Sequence, residues 1–188
     1  MKIPRWIIEF TGHTMLHNRP PWFVYRPDIH KVRGADVRRI LDVVEPGDIL
    51  LRRFDGYLNT VFTKGFYSHA GLYVGNDQMV HAVSQGTISE DLLDFCRADA
   101  ICVLRVKGIA EGHIIGAITK AKSAADDNIP YDFDFSGLNR TYYCTELVDI
   151  VFDRIFYNDY QKYFGKLVLL PDGIRNSKRV RVKLEVKP

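Results

Sequence analysis

The stretch SHAGLYVGNDQMVHAV, residues 68–83, has two apolar runs around the turn Gly75-Asn76-Asp77 and predicts an antiparallel β-hairpin. His69 and His81 lie at equal distances from Gly75, so a hairpin centred there places their Cβ atoms about 4.5–5.5 Å apart on one face. A register shift of two residues makes the histidines diagonal neighbours on that face, whereas a shift of one separates them. A shared face therefore requires an odd number of loop residues or a compensating bulge.

A second decisive stretch begins at Cys144, where the chain reads CTELVDIVFDRIF, residues 144–156, with apolar residues at helical spacing. The unpaired N–H groups at a helix start favour a thiolate, and such positions lower cysteine pKa values to about 3.5–7.5. A lone cysteine at this place is nevertheless more often a small buried hydrophobe. The helix start therefore makes Cys144 a candidate nucleophile that needs a partner.

The remaining pattern predicts an α+β fold, an antiparallel sheet packed against helices. Further strands are predicted over 48–52, 101–106 and 180–186, and helices over 36–44 and 111–126. Residues 48–186 are expected to form one core within a domain of residues 35–188. Residues 1–34, rich in proline and aromatic residues, look irregular and predict an arm that packs on this domain or roofs its cleft.

Composition excludes several classes of protein. The chain has 188 residues and a formal net charge of +3, which is too weak to indicate nucleic-acid binding. Its three cysteines, Cys96, Cys102 and Cys144, suggest neither a disulfide framework nor metal-ligand spacing. The apolar run at the N-terminus is too short for a signal peptide, so a cytoplasmic location is expected. The basic cluster over 178–183 predicts a solvated strand face; contact with a membrane surface or anionic polymer is the minority interpretation.

Four stretches occur in a distinctive order: PGDILLR (46–52), SHAGLYVG (68–75), IPYDFDF (129–135) and YYCTELV (142–148). Over residues 45–175 the chain thereby resembles the circularly permuted branch of the NlpC-type papain-like proteins, which includes the YiiX-like proteins and is similar to lecithin:retinol acyltransferases. In that branch the histidine strand precedes the cysteine helix. The resemblance implies a papain-like fold and a thiol hydrolase.

The resemblance also implies roles for individual residues. Cys144 matches the family's nucleophile, His69 its base, and His81 the third residue, which orients the base. Many YiiX-like proteins have glutamate at this third place, so His81 is closer to the acyltransferase pattern. Tyr131 matches a tyrosine that helps bind the oxyanion or the substrate, and a packing aromatic is an equal alternative. Glu146 is expected to be a helix-terminus carboxylate rather than a catalytic acid.

The expected function is cleavage of an amide bond, in a peptide-like or cell-wall-derived substrate, through a cysteine acyl-enzyme. One alternative is an acyltransferase or lipase-like hydrolase acting on lipid acyl groups. Another is a non-catalytic ligand-binding module, against which the set Cys144, His69 and His81 argues. The expected partner is a small peptide-like or acyl-containing substrate, with no cofactor, metal ion or nucleic acid; a metal-binding pair of histidines is a weaker rival because no further ligand is evident.

Overall fold

The computed structural model describes residues 30–55, 65–135, 137, 140–163 and 165–187, together with the backbone of residues 14–16 and 23–25. Contacts divide the chain into residues 1–31 and residues 32–188. In the first unit, β1 (Thr14–Leu16) pairs antiparallel with β2 (Phe23–Tyr25), so the expectation of an irregular arm is wrong there. The packing of this arm on the domain lies outside the described residues and stays a prediction.

The second unit alternates strands with short helices. Its elements in chain order are α1 (Gly34–Leu41), β3 (Ile49–Arg53), β4 (His69–Gly75), β5 (Gln78–Val83), β6 (Gly86–Asp91), α2 (Leu92–Phe95), β7 (Ala100–Val106), α3 (Glu111–Asp126), α4 (Cys144–Val151), a 3-10 turn (Tyr157–Asp159), β8 (Gln161–Tyr163), β9 (Lys166–Val168), α5 (Pro171–Asn176) and β10 (Val180–Val186). Among the described residues no helix is both long and apolar enough to cross a membrane.

Six of the described strands form an antiparallel sheet in the order β10-β7-β3-β4-β5-β6. One face carries Leu51, Ala70 and Leu72 into a core shared with α3 and α4. The opposite face carries Leu50 and Met79 into a core shared with α1 and α2. The predicted α+β architecture, an antiparallel sheet packed with helices, is confirmed.

The β4–β5 hairpin contains the compensating bulge that a shared histidine face requires. Tyr73 pairs with Met79 and Gly75 with Gln78, so the register shifts by one residue at Val74. Asn76 and Asp77 close the turn in the left-handed conformation typical of a two-residue hairpin loop. Beyond the bulge, the register makes His69 and His81 diagonal neighbours on one face of the sheet.

Two predicted elements differ from the structure for identifiable reasons. Helix α4 ends at Val151, although its apolar stripe continues to Phe156, because the Asp149 carboxylate accepts a hydrogen bond from the Phe156 backbone N–H at 2.8 Å. In β10 the register shifts between Val182 and Leu184, which leaves Val182 45% exposed and breaks the expected alternation.

Candidate active site

The hairpin brings the two predicted histidines into direct contact. His69 Nε2 and His81 Nδ1 lie 2.8 Å apart, a hydrogen-bond distance, and the rings are nearly perpendicular at 81°. Gly71 on β4 leaves room for this arrangement, because a Cβ there would lie 2.9 Å from the Phe95 ring and 3.2 Å from the His81 Cβ. The glycine of the SHAGLYVG stretch therefore allows His81 and Phe95 to pack against β4.

Two further residues complete the polar group on this face of the sheet. Arg52 on β3 pairs across the strands with His69. Glu90 on β6 lies two residues after Ile88, the cross-strand partner of His81. Glu90 Oε2 is 3.0 Å from Arg52 Nη1 and 3.2 Å from His81 Nε2. The second distance is close enough for electrostatic attraction, but its alignment falls short of a hydrogen bond. Hence a continuous polar chain runs from His69 through His81 and Glu90 to Arg52.

Burial decides the protonation of the two histidines. It lowers the pKa of His69 well below its ordinary value, and the positive charge of Arg52 lowers it further. Burial also lowers the pKa of His81; Glu90 opposes this shift and Arg52 adds to it. Both imidazoles are therefore neutral at pH 7, the form in which a histidine can accept a proton.

Cys144 is the first residue of α4 and is 8% exposed. The backbone N–H groups of Ala70, the residue after His69, of Thr145 and of Cys144 itself lie close to its sulfur. These donors and Arg52 lower the pKa of the thiol, but burial is the largest effect and raises it. The sequence-based expectation of a lowered pKa is thus wrong in direction, and the resting Cys144 side chain is a neutral thiol.

Tyr131 lies near the cysteine. It forms a parallel bridge with Tyr142, which aligns the IPYDFDF stretch with the start of α4. Burial raises the pKa of Tyr131, and the charge of a Cys144 thiolate raises it further, so the phenol stays protonated and able to donate a hydrogen bond. Its ring packs at 4.9 Å from Phe133, which is 67% exposed. The placement is compatible with both predicted roles, contact with the substrate and packing.

Glu146 lies in the first turn of α4 and is 2% exposed. The backbone N–H of Tyr143, the residue before the helix, lies close to this carboxylate. Burial and then Asp132 raise the pKa of Glu146 to about 7. The contact fits the predicted position at the helix terminus.

Sequence reasoning thus predicted the contact between the two histidines and missed the residues behind the second histidine; the roles of Cys144, His69 and His81 stay predictions. Arg52 ends the PGDILLR stretch, so that motif contained a usable signal. Glu90 lies on β6, a strand that the sequence pattern did not predict, and no local motif marks it. Only the register of β5 with β6 places it beside His81.

Comparison with known proteins agrees with this fold. The family model described as "Permuted papain-like amidase enzyme, YaeF/YiiX, C92 family" matches residues 43–183. A solved structure, described as that of the metalloprotein YiiX from Escherichia coli O157:H7, is 19% identical, with a TM-score of 0.62 over 77% of this chain and 98% of that chain. At this identity the likeness shows a common fold. A search of curated proteins found no significant match.

Since that structure is described as one of a metalloprotein, the residues of the present site matter as possible ligands of an ion. No group of three or more His, Cys, Asp or Glu side chains among the described residues could hold a metal ion. His69 Nε2 and His81 Nδ1 point at each other at 2.8 Å, which occupies both nitrogens in a hydrogen bond. The described residues do not fit a metal ion, and no step of the chemistry below uses one.

Proposed function

Since the chain belongs to the YaeF/YiiX family of permuted papain-like amidases, we propose that it cleaves an amide bond in a peptide-like or cell-wall-derived substrate through a Cys144 acyl-enzyme. The observation that carries this proposal is the contact of His69 Nε2 with His81 Nδ1 at 2.8 Å, on a strand whose next residue, Ala70, has its backbone N–H close to the Cys144 sulfur. In this proposal Cys144 at the start of α4 is the nucleophile, and the hairpin supplies the base, His69, and the residue that orients it, His81.

The first half-reaction follows from the neutral resting state. The Cys144 sulfur attacks the amide carbonyl carbon while His69 takes the thiol proton, which avoids a buried thiolate. His69 uses Nε2 towards His81, so Nδ1 is the nitrogen left for this proton. The carbonyl oxygen gains negative charge and the C–N bond then breaks as the imidazolium returns the proton to the leaving amine. The product is a thioester on Cys144.

The second half-reaction returns the free enzyme. Water gives a proton to His69 and its oxygen attacks the thioester carbon; the thiolate leaves and recovers the proton. Backbone N–H groups at the start of α4, including that of Cys144, are the oxyanion donors, and one such donor is worth about 2.7–4 kcal/mol in the transition state. Tyr131 is a further candidate donor because its phenol stays protonated.

A library of acyl amides and acyl esters tests this function. The wild-type protein should release amine from a subset of the amides, and Cys144→Ala should release none. A trapped acyl group on the peptide that contains Cys144, seen by mass spectrometry, would identify the intermediate. Full turnover of amides by Cys144→Ala would contradict the proposal.

The acyl-ester half of the library examines the second candidate, an acyltransferase or lipase-like hydrolase. The observation in its favour is His81 at the third position, where the acyltransferase pattern also has histidine. Turnover of long-chain acyl esters with no turnover of any amide would favour this candidate. Absence of any acylation of Cys144 by either class would favour a ligand-binding module.

A further inference from the structure

Four polar side chains from adjacent strands share one face of the sheet, yet the proposed chemistry uses only two of them. Arg52 lies on β3, His69 on β4, His81 on β5 and Glu90 on β6. Arg52 is 8% exposed and His81 1% exposed, while the Glu90 side chain is 28% exposed. A charged pair that is largely withdrawn from solvent beside a catalytic base is costly unless it serves the base or the fold.

We propose that Glu90, held by Arg52, is a positioning residue that sets the tautomers of both histidines, so that His69 accepts the thiol proton at Nδ1. This inference rests on the proposed function for its consequence in catalysis. The tautomers themselves are a property of the resting protein and can be measured without a substrate.

The direction of the hydrogen bonds follows from what each group can do. An ionised carboxylate only accepts, so the Glu90 oxygen 3.2 Å from His81 Nε2 favours a proton on that nitrogen. The neutral His81 then has a lone pair on Nδ1, which accepts the Nε2–H of His69. The neutral His69 in turn has its lone pair on Nδ1. Reversed tautomers would place a proton on His69 Nδ1 and leave it unable to take one from the thiol.

Arg52 is needed because a carboxylate alone would also favour a second proton on His81. Its Nη1 is 3.0 Å from Glu90 Oε2, and its guanidinium lies 4.2 Å from the centre of the Phe95 ring. The other titratable groups that act on Arg52 are Cys144 and Cys96, and Asp91 in turn acts on Cys96. With Arg52 present, the charge of Glu90 is balanced and the histidine pair stays neutral.

The first measurement uses the wild-type protein. Long-range proton–nitrogen NMR spectra at pH 7 of the uniformly labelled full chain report which ring nitrogen of each histidine carries the proton. We expect both His69 and His81 as the Nε2–H form. An Nδ1–H form of His81 would overturn the proposal, whatever the enzyme's substrate proves to be.

Two variants then test the charge balance. Glu90→Gln leaves Arg52 uncompensated, so the pKa that governs the acidic limb of kcat/KM should fall; Arg52→Gln leaves Glu90 uncompensated, so it should rise. Each should lower kcat by about tenfold or more, the scale of a lost hydrogen bond to a charged group. Asp94→Asn removes an exposed carboxylate of α2 and is the matched control, which should change neither value.

A merely structural pair would lower the melting temperature and kcat without opposite shifts of the acidic limb. Shifts in the same direction, or none, would therefore overturn the assignment. If either variant does not fold, as judged by circular dichroism, the wild-type NMR measurement decides. Failure of the proposed function would look different, since Cys144→Ala would then retain turnover while the tautomers stayed as expected.

Discussion

At the scale of single residues, Cys144 differs from the other two cysteines in its surroundings more than in its burial. Burial raises the pKa of Cys96 and of Cys102 to about 12, and it raises that of Cys144 as well. Cys144 alone of the three receives several backbone N–H groups at a helix start, and it is 8% exposed where Cys96 is 1% and Cys102 0% exposed. Both differences favour reaction at Cys144.

We therefore expect Cys144 to be alkylated first at neutral pH. Brief treatment with iodoacetamide, followed by mass spectrometry of the digested protein, measures the three rates in one sample. Denatured protein is the control, in which the three thiols should react at similar rates. Preferential labelling of Cys96 would count against Cys144 as the nucleophile.

The two histidines should differ in their effect on turnover. His69→Ala removes the base, and general-base catalysis is worth about 10²–10⁴-fold in rate. His81→Ala leaves the base in place and removes only its orienting partner, so kcat should fall less. Comparison of kcat for both variants on one amide substrate measures this order, and a larger loss for His81→Ala would mean that His69 is not the base.

Those candidate site residues that lie within a local sequence pattern could be predicted from the sequence. The helix stripe marks Cys144, and the spacing around Gly75 marks His69 and His81, because a hairpin turns sequence distance into spatial proximity. Glu90 was not predictable in this way. Its contact with His81 depends on the register of β6, which tertiary pairing sets and no nearby motif encodes.

At the scale of elements, the β4–β5 hairpin has a glycine, Gly71, where packing leaves little room for a side chain. A Cβ at Gly71 would lie 2.9 Å from the Phe95 ring, 3.1 Å from Met79 and 3.2 Å from the His81 Cβ. The backbone of Gly71 is ordinary strand, so the restriction comes from packing and not from backbone conformation.

We expect Gly71→Ala to lower the free energy of unfolding by about 1–3 kcal/mol, the usual cost of overpacking a core. It should also lower kcat, because the added methyl group displaces His81. Gly116→Ala is the control: nothing lies within 4 Å of its Cβ in α3, and it should stabilise by about 0.5–1 kcal/mol. Urea denaturation measures both, and unchanged stability in Gly71→Ala would show that β4 moves to accommodate the methyl group.

The elements also show why sequence periodicity predicts some boundaries and not others. Helix α3 spans the residues that the spacing predicts, Glu111–Asp126, because its pattern ends where its packing ends. In α4 the apolar pattern and the helix do not end together, because the pattern continues beyond Val151, the last helical residue. Phe152 and Phe156 remain in the core, but Asp153 and Arg154 adopt left-handed backbone conformations and turn the chain. An apolar stripe reports burial, and burial continues through this turn.

At the scale of the whole molecule, the order of the histidine strand before the cysteine helix was visible in the sequence, and it is the order of the permuted papain-like family. What the sequence could not show is the electrostatic cost of the assembled core. The sheet and α4 bury Asp132, Glu146 and Asp149 close together, with exposures of 3%, 2% and 0%. Nothing in the sequence distinguishes these three carboxylates from solvent-exposed ones, because their desolvation arises only when the chain folds.

Glu146 lets this cost be measured as a dependence of stability on pH. Burial, and then the charge of Asp132, raise its pKa from 4.5 to about 7, and no described residue hydrogen-bonds its Oε2. Below the unfolded-state pKa both states are protonated and Glu146 has no effect. As pH rises towards the folded-state value, the unfolded chain ionises first, so stability falls and the loss is complete above about pH 7.

Glu146→Gln removes the ionisation and keeps an oxygen that can accept the Tyr143 N–H. We therefore expect the variant to match the wild type at pH 4 and to exceed its free energy of unfolding at pH 8 by on the order of 1–3 kcal/mol, since each pKa unit is worth about 1.36 kcal/mol. Urea denaturation at the two pH values checks this, with Asp94→Asn, an exposed carboxylate, as the control that should show no such difference. A Glu146→Gln variant less stable than the wild type at pH 8 would mean that the ionised carboxylate stabilises the start of α4 by more than its burial costs.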